Sequence, residues 1–72
     1  MKNELKLDMK KKAHTIKGLV NVLQSDADYI YIDANDFDLV GLGESVREVK
    51  DTIEKLVDNV AELEYALYLA RK

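Results

Sequence analysis

A chain of 72 residues and 8.2 kDa has room for one domain, whose hydrophobic core would supply only ~3–5 kcal/mol and so needs a supplement. It has no cysteine and a single histidine, which excludes disulfides and the usual zinc sites and leaves association with another chain as the supplement. A net charge of −3 argues against general nucleic-acid binding, and no apolar run approaches the ~20 residues of a membrane span, so the sequence predicts a cytoplasmic protein without membrane contact or signal segment.

In the N-terminal segment Leu5, Met9, Ile16, Leu19, Val20 and Leu23 fall on one stripe, with Ala13 beside it and Lys12 interrupting it. This predicts an amphipathic helix over about residues 2–24. The run Ser25-Asp26-Ala27-Asp28 is expected to end that helix, because such side chains compete for backbone hydrogen bonds. Lys6, Lys10, His14 and Lys17 line up on the polar side. They read as a solvated basic face, the alternative being contact with nucleic-acid phosphates. Glu4 and Asp8 dilute that field, and neither arginine nor an aromatic residue is interleaved.

Within this segment Ala13-His14-Thr15-Ile16-Lys17-Gly18 resembles the phosphoacceptor motif of histidine phosphotransfer domains, in which lysine and glycine follow the histidine at +3 and +4. The resemblance covers six residues and implies a helical bundle with His14 as phosphoacceptor and Lys17 and Gly18 as its supports. Leu19 departs from the small residue usual in that family. Against the resemblance stands the simpler reading of His14 as an ordinary exposed helix residue beside a lysine run.

Residues 25–35 read as a linker. Tyr29-Ile30-Tyr31-Ile32 is rich in β-branched and aromatic residues and predicts a short extended segment, which either lies across the helices or pairs with its counterpart in a second copy. Asp26, Asp28, Asp33, Asp36 and Asp38 surround it. Their spacing lacks the central glycine and closing glutamate of a calcium loop, so turn and capping roles are expected and no metal or cofactor is implied.

A second helix is expected over about residues 36–71, capped by Asn35 or Asp36, with Gly41 and Gly43 marking a weak start. Its apolar residues Val46, Val49, Ile53, Leu56, Val60, Leu63, Leu67 and Ala70 alternate in steps of three and four, a heptad seam. Arg47 with Asp51, Lys50 with Glu54 and Asp51 with Lys55 have the spacing of helical ion pairs. Tyr65, Tyr68 and Leu69 lie off the seam; they either dock a partner or shelter Leu5 and Leu7 of the first helix.

The predicted fold is all-α: an antiparallel helical hairpin dimerised into a four-helix bundle, with Ile16 and Leu23 joining the second helix's seam residues in the dimer core. A parallel coiled coil through the second helix is the alternative. No nucleophile motif, phosphate loop or zinc pattern occurs, which predicts a protein that is not an enzyme. The expected function is a homodimeric adaptor or inhibitor, of a size and acidity common among accessory proteins of phages and other mobile elements. It would offer Tyr65, Tyr68, Leu69, Tyr29 and Tyr31 to a protein partner. Phosphotransfer through His14 and nucleic-acid binding through the lysine face are the alternatives.

Overall fold

Heptad spacing in the first helix does not stop at Leu23. It runs on through Asp26, Ile30 and Asp33, and the backbone follows it. The structure is a computed structural model that describes residues 2–72. It consists of α1 (Lys2–Asn35) and α2 (Leu39–Arg71), two antiparallel helices joined by the turn 36–38. The hairpin measures 53 × 14 × 13 Å, and no strand occurs among the described residues.

Two sequence expectations are corrected here. The first helix does not end near residue 24, so 25–35 is not a linker, and Tyr29–Ile32 is helical rather than extended. The helical period brings Ile30 and Asp33 against α2, where both are half-buried, whereas a lone strand would leave its backbone groups unpaired. Tertiary packing therefore outweighs the local β preference.

A specific stop ends α1. The Asp38 amide donates to the Asp33 carbonyl (2.9 Å) and the Phe37 amide to the Ala34 carbonyl (3.2 Å), the paired bonds of a Schellman cap. Phe37 occupies the left-handed position at φ 56°, usually filled by glycine or asparagine.

The N-cap of α2 is Asp38, not Asn35 or Asp36. Its Oδ1 accepts from the Gly41 amide at 3.1 Å, so α2 starts at Leu39 rather than near residue 36. A Cβ at Gly41 would sit 2.6 Å from Asp38 Oδ2 and 3.1 Å from Asp33 Oδ2, so a side chain there requires these carboxylates to shift. Around Gly43 there is open space.

Between the helices, α1 presents Leu5, Met9, Lys12, Ile16, Leu19, Leu23, Asp26, Ile30 and Asp33, all half-buried. The α2 contact row is Leu42, Ser45, Val49, Thr52, Leu56, Asn59, Leu63 and Ala66, of which only Ser45, Thr52 and Ala66 are buried. No described side chain is completely enclosed. The most buried positions of the hairpin are thus small and polar residues. Ser45 Oγ donates across it to Asp33 Oδ2 at 3.0 Å, and Asn59 Nδ2 bonds back to the Lys55 carbonyl at 2.8 Å.

Candidate functional site

The contact row of α2 is offset by one residue from half of the heptad seam. Val49, Leu56 and Leu63 belong to both, but Val46, Ile53, Val60 and Leu67 stand one residue, about 100°, past the buried Ser45, Thr52 and Ala66 and the half-buried Asn59. These four aliphatic residues are 51%, 43%, 40% and 37% exposed.

The corresponding step beyond the contact row of α1 leads to Ala13, Val20, Ala27 and Ala34, all exposed. Because the helices run in opposite directions, one step past the contact row turns both to the same side of the hairpin. The result is a continuous apolar face. Met9, Ile16, Leu23 and Ile30 of α1 and Val49, Leu56 and Leu63 of α2 form its middle, bordered by the two exposed rows. At the open end it forms a shallow groove lined by Leu5, Met9, Ala13, Leu63 and Ala70, with Lys6 and Lys10 at its edge.

The opposite face is more polar. There Leu5, Asp8, Lys12, Glu62, Tyr65 and Leu69 line a second shallow groove. Lys12 Nζ donates to Asp8 Oδ1 at 2.8 Å, and this bond raises the lysine pKa above its ordinary value, with the nearby Glu62 charge acting in the same direction and desolvation opposing both. This explains how a lysine is accommodated in the helix contact: its charge is matched and its stem covers apolar surface. It is the one ion pair among the described residues; the pairs expected along α2, such as Lys50 with Glu54, are not closed.

The tyrosines do not form one patch. Tyr29 and Tyr31 lie near the turn, Tyr65 and Tyr68 near the open end, and all four are exposed. Tyr65 and Leu69 share the second groove with Leu5, while Leu7 stays exposed, so they shelter the start of α1 only in part.

His14, Lys17 and Gly18 are all exposed on α1, and the space beside Gly18 is open. The basic residues Lys6, Lys10 and Lys17 are exposed as well. Of the aspartates, Asp38 caps α2 and Asp33 bridges to Ser45. Among the described residues no three acidic, histidine or cysteine side chains are grouped so as to hold a metal ion, and no helix is long and apolar enough to cross a membrane.

The apolar face was readable in part. The seam on α2 was visible from its period, but the offset was not, because Ser45, Thr52 and Asn59 carry no hydrophobic signal. Comparison with protein-family models, curated proteins and solved structures finds no match to this chain.

Proposed function

We propose that this chain is a non-enzymatic interaction protein of the adaptor or inhibitor kind, which works as a homodimer formed through its apolar face. The observation that carries this reading is the exposure of Val46, Ile53, Val60 and Leu67 in an unbroken row beside the half-buried middle of the same face. The side of the hairpin that carries this face, 53 × 14 Å, is on the order of 700 Å² in projection, near the ~800 Å² that each partner contributes to a standard stable interface. Leaving it in water would forgo the main source of stability that a two-helix chain can recruit. Dimerisation leaves the groove of Tyr65 and Leu69 on the outside, available to a further protein.

Sedimentation equilibrium tests this directly. The expected mass is twice 8.2 kDa, falling to the single-chain value in Val60→Asp. A wild-type chain that stays monomeric throughout would contradict the reading.

A second reading rests on the exposure of His14 with Lys17 and the open space beside Gly18. In it, the imidazole takes a phosphoryl group from an aspartyl phosphate, freeing that carboxylate, while the lysine offsets the added charge. His14→Gln would abolish labelling by a phosphorylated response regulator without altering the helical spectrum. Unchanged labelling would eliminate it.

A further inference from the structure

The apolar face does not by itself say how a second copy would lie on it, but the distribution of charge does. The level of each residue along the hairpin is fixed by the bond between Asp33 and Ser45. Successive heptads then bring Asp26 level with Thr52, Leu19 with Asn59 and Lys12 with Ala66. By the same count Asn21 and Val57 share a level close to the middle of each helix.

Dividing the hairpin there separates charge strongly. The open half, residues 1–20 and 58–72, holds eight basic and five acidic residues, a formal charge of +3. The turn half, residues 21–57, holds three basic and nine acidic residues, a formal charge of −6. A second copy related by a twofold along the hairpin would set turn beside turn and open end beside open end, like charge against like. A twofold across the hairpin sets each turn half beside an open half and makes both contacts attractive.

The edge of the face agrees. Bordering the aliphatic row of α2 is the exposed series Lys50, Val57 and Glu64, spaced by heptads with its one apolar member in the middle. That series is self-complementary when reversed. A twofold across the hairpin at the level of Val57 brings Val57 to its own counterpart and sets Lys50 opposite Glu64 on both sides of the axis. It also explains why a valine that is 60% exposed sits between two charged residues.

Resting on the homodimer reading above, we propose that a second copy of this chain covers the apolar face in reversed orientation. The twofold crosses the hairpin near Val57, so α2 packs against the partner's α2 and α1 against the partner's α1. The small row Ala13, Val20, Ala27 and Ala34 lets the two α1 helices come close, while Val46, Ile53, Val60 and Leu67 fill the space between the two α2 helices. Turn beside turn would instead set Val57 opposite Gln24 of the other copy, and Lys10 near its Arg71.

The natural chain lacks cysteine, so single thiols report these neighbours cleanly. Val57→Cys alone should be joined to itself by a short bismaleimide, and an equal mixture of Val57→Cys and Gln24→Cys chains should give the Val57 homodimer rather than the mixed product. Lys50→Glu should weaken the dimer about tenfold through two symmetric contacts, and Lys50→Glu with Glu64→Lys should restore it. A mixed product with no linkage of Val57→Cys to itself, in a chain still dimeric by light scattering, would overturn the orientation alone. A chain monomeric by light scattering would overturn the dimer and the orientation together.

Discussion

Four pairs of neighbouring residues on α2 have opposite environments. Ser45, Thr52, Asn59 and Ala66 face α1, and three of the four are buried; Val46, Ile53, Val60 and Leu67, each one position later, are exposed to solvent. The smaller residues face α1, and the larger ones are left exposed on the adjoining side. Burial within one chain and hydrophobicity in the sequence thus mark two different surfaces, one that closes the hairpin and one that the hairpin presents.

The two surfaces respond differently to substitution. The largest effect is expected for Val60→Asp, which alters the presented row. A charge tolerated on the monomer would have to be buried in the dimer, at a cost of about 3 kcal/mol or more. Sedimentation should then give the single-chain mass, and an unchanged dimer would remove Val60 from the interface.

Next comes Ser45→Leu in the closing row. It removes the bond to Asp33 and forces volume into a buried contact, with an expected loss of about 2 kcal/mol measured by urea unfolding. A gain in stability would show that the row is not close-packed.

The two glycines of α2 sharpen the comparison at the turn. Gly41→Ala should destabilise by about 1 kcal/mol, because its Cβ would displace the carboxylates of the cap. Gly43→Ala, in open space, should stabilise by a similar amount. Equal effects on the thermal midpoint would contradict this account of the cap. The smallest change is expected for Phe37→Gly, which relieves the left-handed strain at φ 56° and should add about 0.5 kcal/mol. A loss on this substitution would show that the exposed phenylalanine ring makes a stabilising contact.

The two helices were legible because aliphatic residues recur in steps of three and four from Leu5 to Leu23 and from Val46 to Ala70. Their ends were less legible. Tyr29-Ile30-Tyr31-Ile32 has a composition suited to strands, and only Ile30 and Asp33, together with a partner helix, reveal its helical period. Asn35 and Asp36 read as the cap in the sequence, whereas the Gly41 amide bonds to the side chain of Asp38. On the apolar face, half the seam was readable and the closing row was not, since its serine, threonine and asparagine carry no hydrophobic signal.

In the proposed dimer, the apolar face of Val46, Ile53, Val60 and Leu67 is a core completed by a second copy. Thermal unfolding followed by circular dichroism over a wide range of chain concentration tests it most directly, because dissociation accompanies unfolding only in an associated protein. The midpoint is expected to rise steadily with concentration. A midpoint independent of concentration, in a chain that is monomeric at every concentration, would contradict it.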